Sequence, residues 1–167
     1  GDAAPNGGSA DFAVMRHFPD GSLDPSFDGD GQLATDILGG DFATSVAIQS
    51  DGKIVVAGYA YRLDGNMSSL VVRYLTDGTP DSTFNAVGWV AIDYAGGIYY
   101  ESAANAVAIQ PDGKIVVAGG ATGDFALARL NTDGSLDNSF SIDGKVTMDL
   151  SPPNGACMEI ALQPDGR

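Results

Sequence analysis

Basic residues are scarce in this chain. Eight Lys and Arg stand against 22 Asp and Glu, a net charge of −14 over 167 residues. A field of that sign repels nucleic acid and anionic lipid surfaces, so neither is expected as a partner. Histidine and cysteine occur once each, at His17 and Cys157. His17 has no second imidazole with which to share a metal, and reads as a surface strand residue. Cys157 has no partner for a disulfide within the chain and reads as a small core residue. No apolar run is long enough to span a membrane. No segment sustains a 3.6-residue hydrophobic period, so almost no helix is expected. Gly-rich phosphate loops, GxSxG, HExxH and CxxC are all missing from the sequence.

Glycine, by contrast, is abundant: 23 residues, ten of which follow Asp. Asp hydrogen-bonds its own backbone and Gly accepts positive φ at no steric cost, so Asp-Gly marks a tight turn. Ten such turns imply many short strands. They also expose an internal repeat of about 57 residues. The segments "DFAVMRHFPDGSLDPSFDGDG" from Asp11, "LVVRYLTDGTPDSTF" from Leu70 and "DFALARLNTDGSLDNSFSIDG" from Asp124 superimpose. Arg16, Arg73 and Arg129 correspond, as do Phe27, Phe84 and Phe140, and Asp36, Asp93 and Asp149. A second block recurs as "ATSVAIQSDGKIVVAG" from Ala43, "AANAVAIQPDGKIVVAG" from Ala103 and "CMEIALQPDGR" from Cys157. It reads as a hairpin, with an apolar strand, an Asp-Gly turn and a β-branched strand. Each unit therefore has four strands: A (VAIQ), B (KIVVAG), C (FALARL) and D (KVTMDL). The fold class expected is all-β, with propeller-like blades of four antiparallel strands in about three repeats.

The strings "ALARLNTDGSLDNSF" and "AIQPDGKIVVAG" resemble the delta-60 repeat, a bacterial repeat of β-propeller type. The resemblance spans nearly the whole chain. It implies a propeller fold and a secreted or cell-surface setting, and brings no catalytic residue or ligand with it. Units are expected at about 1–42 (strands C and D), 43–102, 103–156 and 157–167 (strand A). Three blades are too few to close a ring. The expectation is that further blades of a longer chain, or self-association, complete the propeller.

The A–B and C–D connections hold their length between copies, whereas the B–C and D–A connections vary. Those two variable connections emerge on one face of an antiparallel blade, and variable loops on one face of a repeat protein mark a binding surface. Tyr59, Tyr61, Arg62 and Asp64 fall in or beside one such loop. Tyr94, Tyr99, Tyr100 and Glu101 fall in or beside another. Aromatic rings among polar side chains suit a sugar ring or a protein hot spot, so these eight are the candidate ligand-binding residues. Alternatively, the rings cover blade edges.

The acidic C–D loop of the first copy places Asp20, Asp24, Asp28 and Asp30 in "DGSLDPSFDGDG". Alternating carboxylates and glycines would suit calcium, the one cofactor considered, while Asx turns would account for the same residues without a metal. The second copy keeps Asp77 and Asp81, and the third keeps Asp133, Asp137 and Asp143. The recurrent Arg16/Asp36, Arg73/Asp93 and Arg129/Asp149 are expected to be structural, as cross-strand ion pairs or Arg-to-loop hydrogen bonds. Phe27, Phe84 and Phe140 are expected to plug the space between blades. The function expected is a non-enzymatic module of a bacterial surface or secreted protein, binding glycan or protein on the variable-loop face. A structural assembly protein is the second reading. A glycan-active enzyme is the third, weakened because Glu159 is the sole acid within an A strand.

Overall fold

A computed structural model describes residues 2–3, 10–94, 101–149 and 155–166, with the backbone alone for 2–3. Eleven strands and no helix are found among them. The order is β1 (Asp2–Ala3), β2 (Asp11–Met15), β3 (Gln32–Thr35), β4 (Gly40–Ile48), β5 (Ile54–Tyr61), β6 (Met67–Tyr74), β7 (Trp89–Ile92), β8 (Ser102–Ile109), β9 (Ile115–Ala121), β10 (Asp124–Leu130) and β11 (Lys145–Met148). They make three antiparallel sheets: β1-β2-β3, β4-β5-β6-β7 and β8-β9-β10-β11. The second and third sheets are complete blades in the expected A-B-C-D order. The first holds strands C and D with the last residues of B. The three sheets do not close a ring.

Apolar residues repeat without alternation along strand B because both of its faces are covered. Ile54 and Val56 join a cluster with Phe12, Phe27 and Val72, between the first and second blades. Val55 and Ala57, on the opposite face, join Val107, Ile115 and Val117 between the second and third. The core thus lies between blades, and a lone blade would have no interior.

Each A strand carries a β-bulge at the same repeat position. The β4–β5 register shifts between Ala43 and Ser45, and the β8–β9 register between Ala104 and Ala106. The bulged residues are Thr44 and Asn105, both polar. Thr44 Oγ1 donates to the Ala104 carbonyl at 2.7 Å. Asn105 Nδ2 donates at 2.8 Å to the carbonyl of Cys157, the repeat equivalent of Ala104. Opposite each bulge sits a glycine. A Cβ on Gly58 would lie 1.9 Å from the Phe42 carbonyl oxygen, and one on Gly119 would lie 1.9 Å from that of Ala103.

The fourth A strand, expected at 157–167, differs from that expectation: residues 155–166 are in no β-ladder. They nevertheless hold the place of a next A strand. Gly155 N donates to the Gly123 carbonyl at 3.0 Å, as Asp41 N donates to that of Ala10 two joints earlier. The physical reason is that an A strand takes its ladder from strand B, whereas its contacts with the preceding blade are single hydrogen bonds.

Candidate functional site

The recurrent Arg, Asp and Phe form a joint. In the second blade, Arg73 Nε donates to Asp81 Oδ2 at 2.8 Å, one Nη donates to Thr83 Oγ1 and the other to the Thr132 carbonyl of the third blade. The guanidinium lies 4.6 Å from the centre of the Phe84 ring. That ring is buried against the next blade's Asp-Gly turn, where a Cβ on Gly134 would come within 2.9 Å of it. Asn85 N donates to the Asp133 carbonyl beside it. The first blade repeats every part: Arg16 to Asp24, to Ser26 and to the Thr76 carbonyl, Phe27 under Arg16 and against Gly78, and Asp28 N to the Asp77 carbonyl. In the third, Arg129 binds Asp137 and Ser139 and covers Phe140, which is only half-buried.

The ion-pair partner therefore differs from the expected one. It is the aspartate eight residues after the arginine, not Asp36, Asp93 or Asp149 at twenty. Those three each follow the last residue of strand D, at the other end of the blade. Asp93 instead accepts from Ser68 Oγ at 2.7 Å and pairs with Arg62 at 3.4 Å. The true joint carboxylates gain a second cation in the complete blades: Lys53 Nζ lies 3.1 Å from Asp81, and Lys114 Nζ lies 2.8 Å from Asp137. Burial pushes the Asp81 carboxyl up, but Thr83, Lys53 and Arg73 together hold it well below the usual range. Lys114, Ser139 and Arg129 do the same for Asp137.

The acidic loop of the first copy is occupied by its own backbone. Asp20 accepts from Ser22 N, Asp24 from Ser26 N and Asp30 from Gln32 N, while Asp28 adopts φ 51°. Hydrogen bonds from Ser22 lower the Asp20 carboxyl, and those from Ser26, with Arg16, lower that of Asp24. Among the described residues, no group of three or more His, Cys, Asp and Glu is gathered as a metal cage.

On the variable-loop face, the expected residues divide. Tyr59 and Tyr61 come together, joined by Phe42, which the sequence reading did not single out. Phe42 stacks on Tyr59 with ring centres 5.1 Å apart, and Tyr61 meets both rings edge-on at 5.8 and 5.9 Å. The hairpin register makes this cluster, pairing Phe42 with Tyr59 and Gly40 with Tyr61. Fixing the Asp-Gly turn and counting back along the strand would have found Phe42. Tyr61 is half-exposed and Leu63 fully so. Arg62 and Asp64 stand beside them, their charged groups 3.7 Å apart, and line a shallow hollow of about 280 Å³ with Leu38 and Leu63. Tyr94 lies elsewhere: it packs on the core between the second and third blades, where burial raises its hydroxyl pKa. Glu101 is exposed and bridges to Met67 through its backbone. Tyr99 and Tyr100 lie outside the described residues.

A family model described as "Domain of unknown function (DUF5122) beta-propeller" matches residues 1–27, 49–84 and 110–140, more than half of the chain. The chain belongs to this family. Each matched stretch of the DUF5122 propeller ends on the phenylalanine of a joint, so the joint lies within the family's pattern. Tyr94 and Glu101 fall outside it, and Tyr59 and Tyr61 fall inside. No curated protein matches the chain.

Proposed function

We propose that this DUF5122 propeller is a non-enzymatic binding module of a secreted or cell-surface protein, and that its ligand is a glycan held on the Phe42–Tyr59–Tyr61 cluster. The observation that carries this reading is the cluster itself: three rings at one end of the first complete hairpin, one of them half-exposed. An exposed tyrosine ring offers an apolar face to a sugar, and Arg62 and Asp64 offer a donor and an acceptor to its hydroxyls. The acidic surface suits a neutral or cationic ligand. A protein ligand is the second reading, favoured by the exposed Leu63 beside Tyr61.

A glycan array probed with the wild-type chain and with Tyr61→Ala tests the assignment. Loss of about 1.4 kcal/mol, roughly tenfold in affinity, is expected for the variant. An array profile unchanged by Tyr61→Ala and by Arg62→Ala sinks the site. Absence of array binding, with peptide or protein binding that Leu63→Ser weakens, moves the assignment to the protein ligand.

A further inference from the structure

The A–B turn recurs as Gln49–Ser50–Asp51–Gly52, Gln110–Pro111–Asp112–Gly113 and Gln163–Pro164–Asp165–Gly166. The second and third of these turns touch. Gln110 Nε2 donates to the Gly166 carbonyl at 2.6 Å, and a Cβ on Gly166 would lie 3.2 Å from Pro111. One joint earlier the equivalent contact is missing: a Cβ on Gly113 would meet only Thr132 of its own blade, and serine stands in the place of Pro111. Between the turns of the second and third blades lies instead a cavity of about 740 Å³. Gln49, Asp51, Lys53 and Arg73 of the second blade line it, with Gln110 and Asp133 of the third. Both blades are complete, and the cavity opens at the end opposite the variable loops.

Two amide oxygens decide what this cavity can hold. Gln49 Oε1 and Gln110 Oε1 are buried and have no hydrogen-bond partner. The Gly166 carbonyl fixes which end of the Gln110 amide carries the N–H groups, so its unpaired atom is an acceptor. Buried acceptors are as a rule paired, and two unpaired ones at equivalent repeat positions call for a ligand that donates. Lys53 and Arg73 bring N–H donors to the same space. Their charge is already matched: they lie 3.1 and 2.8 Å from Asp81, and Asp51 is 3.7 Å from Lys53. An anion therefore finds no unmatched cation. Hydroxyl groups both donate and accept, which suits acceptors and donors set side by side. Ile48 and Ile109 add aliphatic surface for C–H groups.

We propose that this cavity is a binding site for a neutral, hydroxyl-rich ligand, a mono- or disaccharide. Its hydroxyls donate to Gln49 Oε1 and Gln110 Oε1 and accept from Lys53. The volume falls within the range of about 300–1,000 Å³ usual for small-molecule sites. The site shares no residue with the Phe42–Tyr59–Tyr61 cluster and does not rest on the reading of that cluster.

Cellobiose, maltose, lactose and N-acetylglucosamine, each titrated into the full chain and followed by NMR, test it. At least one is expected to saturate at one per chain, shifting the side-chain NH₂ signals of both Gln49 and Gln110 and raising the melting temperature. Gln49→Met keeps the length of the side chain and removes the acceptor. It should leave the free chain at least as stable and weaken binding about tenfold. Tyr61→Ala should leave this binding unchanged. No shift of the two glutamines at tens of millimolar sugar overturns the proposal, and so does binding that Gln49→Met leaves intact. Binding that Tyr61→Ala abolishes puts the sugar on the aromatic cluster and overturns this site alone.

Discussion

Arg73 shows what one side chain does at a joint. Its guanidinium lies on a phenylalanine, holds a carboxylate of its own blade and reaches a carbonyl of the next, with only 4% of the side chain exposed. Removing one partner of a buried pair leaves the other charged and unsolvated, so Arg73→Ala should cost about 3–5 kcal/mol. Arg129 makes the same pair with a more exposed side chain, 19% against 4%, and Arg129→Ala should cost about 1 kcal/mol. Urea denaturation of the two variants checks the order. The recurrence of these arginines was plain in the sequence, but their partner was not. Three aspartates recur at fixed distances of 4, 8 and 20 residues after each arginine, and fixed spacing says that a residue matters without saying what it touches. Tyr94 was misplaced for a related reason: adjacency to a variable loop does not say which way a ring turns. Asp41 went unnoticed altogether. It is fully buried, accepting from Ile37 N, and burial together with nearby Asp36 and Asp11 raises its carboxyl pKa.

The hairpins were the most legible elements. Their turns are written in Asp-Gly, with Gly52 and Gly113 at φ 83° and 84°. Their B strands are written in β-branched residues buried on both faces. Less legible was the bulge, whose trace is a polar residue, Thr44 or Asn105, at one repeat position. Yet the bulge explains the glycine that ends each "KIVVAG". Neither Gly58 nor Gly119 has positive φ; each is glycine because a carbonyl occupies the space a methyl would need. Gly58→Ala therefore requires the backbone to move and should cost about 3 kcal/mol, at the upper end for overpacking. Gly65→Ala places its methyl in open space but at φ 83°, and should cost about 1 kcal/mol. Thermal melts of the two variants separate steric from conformational cost.

Across the whole molecule, two acid-base effects oppose each other. The chain carries −14, and protonating its exposed carboxylates relieves self-repulsion. The joint carboxylates Asp81 and Asp137 act the other way. Their folded pKa values are depressed, so their contribution is complete above the unfolded value of about 3.9 and is lost as pH falls below it. Melting temperature should thus peak near about pH 5 and fall steeply below about pH 4. In Asp81→Asn the low-pH fall should be shallower, and scanning calorimetry from pH 8 to pH 3 would show both limbs. The joints also have a sense. At the two joints between described blades the arginine gives and the following blade's turn receives, and the bulged side chains likewise point onward along the chain. A blade thus has two unlike sides, and two chains meeting through these edges could not do so about a two-fold axis. Any such contact is heterologous, so repeated association would produce either a closed rotational ring or an open filament.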